Sequence, residues 1–303
     1  MINFILLAVC LLLGILFQKV KTIPKNAHQT LNNIIIYVCL PSLALLYIPE
    51  IVIEPGLLYP MGVAWIAFLG GAGFIILYAK IFKVDTKSTG ALILTCGLCN
   101  TSFVGFPVLM GLYGEEGLRV GVLIDQAGSF IVFSTLGIIT ASICSTGTAS
   151  IKPIVKKIIS FPPFFAFIIA LLFNLTGYKH PDFIRDILEK LGSPMFFLAL
   201  ISVGLQLKIK WNEIKFRNIT IGLFYKLILA PLLVFIIYVL LLKGNGIVIK
   251  VSIIEAAMPP MVMGAILATN YDLNPKLANL IVGIGIPVSF ITIMIWYLIM
   301  ENF

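Results

Sequence analysis

The sequence predicts an all-α integral membrane protein of ten transmembrane helices, arranged as two inverted five-helix repeats with discontinuous fourth and ninth helices. Three observations predict it: an apolar composition, ten separate apolar runs, and helix-breaking residues at matching places in the two halves. Hydrophobic residues make up 60% of the chain and charged residues 11%, with a mean hydropathy of +1.09. A water-soluble fold of this length needs far more charge to cover its surface. The formal charge of +8 comes from basic residues in short groups between apolar runs. That pattern fits the anionic inner leaflet of a cell membrane and not a nucleic-acid partner.

A bilayer core takes about 20 apolar residues per helix. The runs lie near 2–18, 30–48, 57–79, 89–113, 117–143, 162–178, 193–207, 218–242, 247–270 and 276–300. The first, INFILLAVCLLLGILF, has no basic residue ahead of it and no small-residue cleavage site after it, which predicts a retained span and not a signal peptide. The second carries Pro41. The fourth contains CNTSFVGFPVLMGLYG, and the fifth carries Asp125 in VLIDQAGSF. The seventh is short and opens beside Pro194; the eighth carries Lys226, and the ninth Glu255 followed by Pro259 and Pro260. No gap between runs holds a soluble domain, the longest being a basic linker near 144–161. Cys10, Cys39, Cys96, Cys99 and Cys144 fall mostly in apolar runs, which speaks against a disulfide framework. Cys96 and Cys99 form a CxxC, but His28 and His180, the only histidines, read as loop residues, so packing is the expected role and no metal or cofactor is expected.

Orientation follows from lysine and arginine. With the N-terminus outside, the inner loops hold Lys19, Lys21, Lys25, Lys80, Lys83, Lys87, Lys152, Lys156, Lys157, Lys208, Lys210, Lys215, Arg217 and Lys276, fourteen in all, against six outside (Arg119, Lys179, Arg185, Lys190, Lys243, Lys250). Both termini are then extracytoplasmic, and Glu50, Glu54, Glu115 and Glu116 lie outside. The halves also resemble each other: Pro41 in YVCLPSLAL lies on Pro194 in KLGSPMFFLAL at an offset of 153, and Tyr113 lies on Tyr271 at 158. Ten spans divide as five plus five, residues 1–148 and 149–303. An odd number of spans per copy turns the second copy upside down, as in secondary transporters.

The 158 offset lays Asn100, Thr101 and Ser102 on Met258, Pro259 and Pro260. One half interrupts its fourth span with polar residues, Gly105 and Pro107; the other interrupts its ninth with a double proline. Proline removes a backbone donor and clashes one turn back, so two in succession unwind a helix. Taken singly, Pro107 and Pro259 read equally well as ordinary kinks. Breaks at matching places survive in lipid only where protein, water or substrate satisfies the freed groups. They predict two discontinuous helices meeting near the midplane, whose half-helix N-termini can hold an anion. Asp125 and Glu255 would each cost roughly 2.5–3.5 kcal/mol if ionised at a helix centre, so each is a functional candidate; the alternative is a protonated, hydrogen-bonded carboxyl or one near water. Lys226 either snorkels to the cytoplasmic side or counters a substrate carboxylate. Gln126, Asn174 and Gln206 are weaker candidates, since single amides often only bridge helices.

CNTSFVGFPVLMGLYG, EAAMPP and the proline-bearing second and seventh spans resemble the auxin efflux carrier family, which includes the plant PIN transporters and bacterial members described as malonate or malate permeases. The resemblance runs along the chain in span order. It implies a scaffold domain and a transport domain, with the fourth and ninth helices crossing as broken helices. It also implies small organic anions as substrates and a homodimer. Matched residue by residue, Asn100 and Thr101 follow the first crossover, and Pro259 or Pro260 forms the second. Cys99 departs from the plant pattern, which has proline there, and the long hydrophilic loop of the plant carriers is absent.

The resulting expectation is a secondary transporter of small carboxylates, auxin-like or dicarboxylic, working by alternating access as an elevator or by rocking. Substrate would meet Asn100, Thr101, Ser102, Gly105, Pro259, Pro260 and Met261. Asp125, Glu255 and Lys226 would handle a coupling proton or Na⁺, or balance charge. Rival readings are an ion or solute channel, which would conduct without saturable exchange, and a membrane sensor or receptor, for which no extramembrane domain is in view. An enzyme is not expected, because neither a His-rich motif nor a convincing nucleophile and base is present.

Overall fold

The computed structural model describes residues 2–24, 26–51, 56, 58–148, 161–207 and 216–303, with side chains from residue 9 onward. Lys25, Glu54, Lys152, Lys156, Lys157, Lys208, Lys210 and Lys215, which entered the orientation argument, lie outside the described residues. Among the described residues every regular element is helical, and no strand forms beyond one isolated bridge. The chain runs through α1 (Ile2–Phe17), α2 (Ala27–Glu50), α3 (Leu58–Phe82), α4 (Thr86–Cys96), α5 (Thr101–Thr146), α6 (Pro162–Thr176), α7 (Asp182–Gln206), α8 (Phe216–Leu241), α9 (Ile247–Ala256), α10 (Val262–Asn270) and α11 (Pro275–Glu301).

Six of these, α2, α3, α5, α7, α8 and α11, are long and apolar enough to cross a membrane. The 46-residue α5 is two helices in one, because Gly114 stands at φ 63° and ψ −151°, a conformation that turns the chain between Tyr113 and Glu115. The halves on either side of each break, α4, α9 and α10, are too short to span alone. The seventh span is longer than the sequence suggests. Its amphipathic first part, Asp182–Gly192, runs through Ser193 and Pro194 into the apolar Met195–Gln206. Local chemistry sets the ends: the Asp85 carboxylate accepts from the Ser88 amide at 2.8 Å to cap α4. Asn274 caps α11 ahead of Pro275 and ties the two caps together by donating to the Ser88 hydroxyl at 2.8 Å. His28, expected in a loop, lies in the first turn of α2.

Packing sorts the helices into two groups. α1 lies along the second part of α7, which also meets α2, while α6 packs on α2. The other group gathers α3, α4, α8, α9, α10 and α11 around both ends of α5. Tyrosines lock its members: Tyr225 Oη donates to the Ala67 carbonyl and Tyr238 Oη to that of Tyr59, each at 2.6 Å. The start of α5 packs against α7, so the first break lies on the boundary between the groups.

Candidate functional site

Two interrupted helices of the second group meet at its boundary with the first. α4 ends at Cys96, and the chain leaves helical geometry through Gly97, Leu98, Cys99 and Asn100 before α5 begins at Thr101. α9 ends at Ala256, and Ala257 through Met261 lead to α10 at Val262. The two unwound segments satisfy each other. The Asn100 amide donates to the Pro259 carbonyl at 3.0 Å, the Met261 amide donates to the Thr95 carbonyl at 3.3 Å, and Cys99 faces Pro260 as an antiparallel bridge. This is how broken backbone survives away from water. The approach is so close that a Cβ on Gly264 would lie 2.1 Å from the Leu94 carbonyl oxygen, so only glycine fits there. Pro107 stands in the first turn of regular α-helix after the break, beyond the wider π-helical turn Thr101–Gly105. The first half-helices begin 161 residues apart, at Thr86 and Ile247, and end 160 apart, at Cys96 and Ala256, while the second begin 161 apart, at Thr101 and Val262; none of these separations is 158. The tyrosines used for the shorter offset sit at helix ends whose turns differ in length.

Asp125 and Glu255 are both buried, in different surroundings. Asp125 Oδ1 accepts from the Thr101 hydroxyl at 2.5 Å and from the Ser102 hydroxyl at 2.9 Å, while Oδ2 accepts from the Gln126 amide at 2.7 Å. The carboxyl is therefore held at the positive end of the half-helix that starts at Thr101. Both oxygens of Glu255, 0% exposed, lack a hydrogen-bond partner. They fill a notch against Gly105, where a Cβ would lie 2.6 Å from Oε1 and 2.9 Å from Oε2. Thr101, Ser102, Asp125, Gln126 and Lys226 all sit on π-helical turns, whose wider winding displaces side chains from the regular helical face.

Lys226 does not snorkel. It is 0% exposed, and its Nζ donates to the Ala256 carbonyl at 2.8 Å and to Cys99 Sγ at 3.0 Å. Cys99 is thus a ligand to an ammonium as well as a packing residue, whereas Cys96 is buried beside Thr95. Asn174 bridges helices, donating to the carbonyls of Ile48, Pro49 and Ile51, and Gln206 donates to Ser202.

A small cavity of about 40 Å³ opens beside Asn100, Ser102 and Asp125, with Phe103, Phe130, Phe133 and Met263 among its walls. The buried Asn100 side chain leaves its Nδ2 without a partner. A wider space of about 220 Å³ shares Phe133 and Met263 with this cavity, and shares Ile266 and Asn270 with a cleft of about 620 Å³. α10 therefore contributes residues to all three spaces. The cleft is polar at its mouth, where His28, Gln29 and Asn32 from the start of α2 face Asn270, Lys276 and Asn279. Of its lining, sequence reasoning had singled out only Gln206; the rest come from four helices far apart in the chain, and their one sequence signal is polarity near span ends. At the other end of α2 the surface is closed by charge: Glu50 pairs with Arg119 at 2.7 Å and also with Arg185. Among the described residues no cluster of three or more His, Cys, Asp or Glu side chains could hold a metal.

An interrupted, mutually hydrogen-bonded helix pair with two buried carboxyls and a cavity beside the break is an arrangement that suits a solute pathway. The comparisons agree. An uncharacterized transporter of Methanocaldococcus jannaschii is 31% identical over 308 residues, covering 99% of each chain. A second uncharacterized transporter, from Methanothermobacter thermautotrophicus, is 29% identical over 296 residues, covering 96% of this chain and 95% of its own. With the family model for membrane transport proteins matching residues 1–297, the chain belongs to the membrane transport protein family, that of the auxin efflux carriers.

Proposed function

We propose that this chain is a secondary transporter that carries a small organic carboxylate across the cell membrane by alternating access. The observation that carries the reading is the buried, unpartnered Asn100 amide beside Thr101, Ser102 and Asp125, at a cavity that Met263 of α10 also lines. The cavity is far smaller than an organic-ligand site, so substrate enters as the two helix groups part, with α1, α2, α6 and α7 as scaffold and the rest moving. Counting each interrupted helix as one span, and dividing α5 at Gly114, gives ten spans in two inverted copies, 1–148 and 149–303. The separations of 160 residues where the first half-helices end and 161 where the second begin support the duplication. The positive-inside bias puts both termini outside and the cleft with Lys276 on the cytoplasmic side. The homodimer is retained as part of this proposal.

Phenylalanine and methionine walls favour an acid with an apolar body over a dicarboxylate, whose second charge would face hydrocarbon. Asn100, Thr101, Ser102 and the chain at Gly105, Pro259, Pro260 and Met261 form the polar end of the site. A substrate carboxylate arriving there meets the resident Asp125, and two negative charges in a dry place repel. A proton carried on Asp125 or Glu255 balances them, which makes H⁺ the coupling ion in this reading.

The test is uptake of a radiolabelled aromatic monocarboxylate, malate or malonate into proteoliposomes under an imposed pH or Na⁺ gradient. Saturable uptake of one acid, driven by the proton gradient and lost in folded Glu255→Gln protein, is the expected result. Wild-type flux in that variant overturns the role of Glu255. If no acid moves under any gradient, the substrate class falls and single-channel recording tests conduction instead.

A further inference from the structure

Lys226 is fully buried at the crossing. It lines neither the small cavity beside Asn100 nor the open cleft. Both of its hydrogen bonds go to the protein at the crossing, to the last residue of α9 and to Cys99 in the break after α4. The antiparallel bridge between Cys99 and Pro260 brings the C-terminal ends of α4 and α9 together at that point. Each helix C-terminus carries roughly half a negative charge on its unpaired carbonyls, so two of them converging in a dry interior call for about one positive charge. Glu255, which precedes Ala256, has no hydrogen-bond partner of its own and leaves the lysine's bonds to the backbone and the thiol. In broken-helix carriers, half-helix C-terminal ends and unwound carbonyls are where a coupling cation binds.

We propose that the Lys226 ammonium is a built-in cation, filling the place at the crossing that a free alkali ion would otherwise take, so that this carrier works without binding Na⁺ or K⁺. The inference rests on the carrier reading for its consequence, but the occupancy of the crossing can be tested without flux. The ammonium donates to the Ala256 carbonyl at one pole, accepts nothing, and cannot leave; a free ion would have to dissociate in each cycle. Its reach to Cys99 also fixes both breaks to α8, whose π-helical turn Tyr225–Leu229 carries the lysine.

The experiment is thermal unfolding of the purified full chain in sodium, potassium, choline or ethylammonium chloride at equal ionic strength, for wild type, Lys226→Ala and Lys226→Met. Wild type should melt at one temperature in all four salts. Lys226→Ala, which leaves a polar void, should melt several degrees lower in choline and recover saturably in ethylammonium or sodium, as ligand linkage requires. Lys226→Met fills the void without charge and should melt low in every salt. Wild-type protein specifically stabilised by Na⁺ or K⁺ overturns the proposal, as does folded Lys226→Ala that ignores all small cations. If Lys226→Ala folds only when prepared in ethylammonium chloride, that recovery is the rescue; if it folds in no salt, the built-in cation is not replaceable and the proposal fails. Absence of transport in wild type would sink the carrier reading and leave these melting results standing.

Discussion

Replacing Asn100 with alanine separates binding from folding. The side chain is 2% exposed and its Nδ2 has no partner. A buried unsatisfied donor costs about 1–3 kcal/mol of desolvation, so truncation removes that penalty together with some packing, and the melting midpoint should stay near wild type or rise. The backbone amide that bonds Pro259 is untouched by the change. If Nδ2 donates to a substrate carboxylate, the lost hydrogen bond to a charged group is worth about 1.5–3 kcal/mol, a rise in KM of about tenfold to about a hundredfold. Uptake into proteoliposomes across a range of substrate concentrations measures the second quantity, and unfolding of the same preparation measures the first. A protein that melts well below wild type yet transports with unchanged KM would refute the reasoning, because Asn100 would then be a structural amide.

Gly105→Ala forces a Cβ to within 2.6 Å of Glu255 Oε1; overpacking costs about 1–3 kcal/mol, partly offset by about 0.5–1 kcal/mol of helix propensity. The net loss should vanish in a Glu255→Ala background, and equal losses in both backgrounds by thermal melting would show that the notch is not the cause. Glu50→Gln removes the ion-pair partner of Arg185 and the nearer of two for Arg119, which keeps Glu115 at 3.9 Å. These pairs are about one-third exposed, so the stabilisation is at most about 1 kcal/mol. The change should speed amide exchange around Tyr47 and Arg119 about fivefold at low salt and less at high salt; unchanged exchange would mean that the charges do not hold this face closed.

Residue chemistry that a helix cannot hide was legible in the sequence. Asn100, Thr101 and Ser102 in an apolar run, and the paired prolines at 259 and 260, announce interrupted helices because nothing else tolerates them in lipid. Asp125 and Glu255 stand out for the same reason, and both lie within reach of the crossing. Azimuth and register were not legible. Lys226 could face lipid, water or the core depending on one turn of winding, and the π-helical turn decides for the core. The offset of 158 was read from tyrosines at helix ends, where a positive φ at Gly114 or at Asp272 and Asn274 lengthens or shortens a turn freely. The half-helices themselves, fixed by Gly264 against Leu94 and by the Cys99–Pro260 bridge, stay within one residue of 161.

The same distinction explains why the cleft escaped notice while the break did not. An interruption is local: one proline or asparagine at the wrong depth has an energetic consequence that any single helix must answer. A cavity is made by side chains that are individually ordinary, such as Asn32, Asn270 and Asn279, and becomes a route only because α2, α10 and α11 leave a gap. Function here needs both. The crossing supplies rigidity that lipid would otherwise forbid, with Lys226 and the mutual backbone bonds tying the two breaks together. The gap supplies access. In the alternating access proposed above, the position of the first break on the boundary between the helix groups lets one group slide against the other and change which surface the site faces, with the bonds that hold the crossing together left intact.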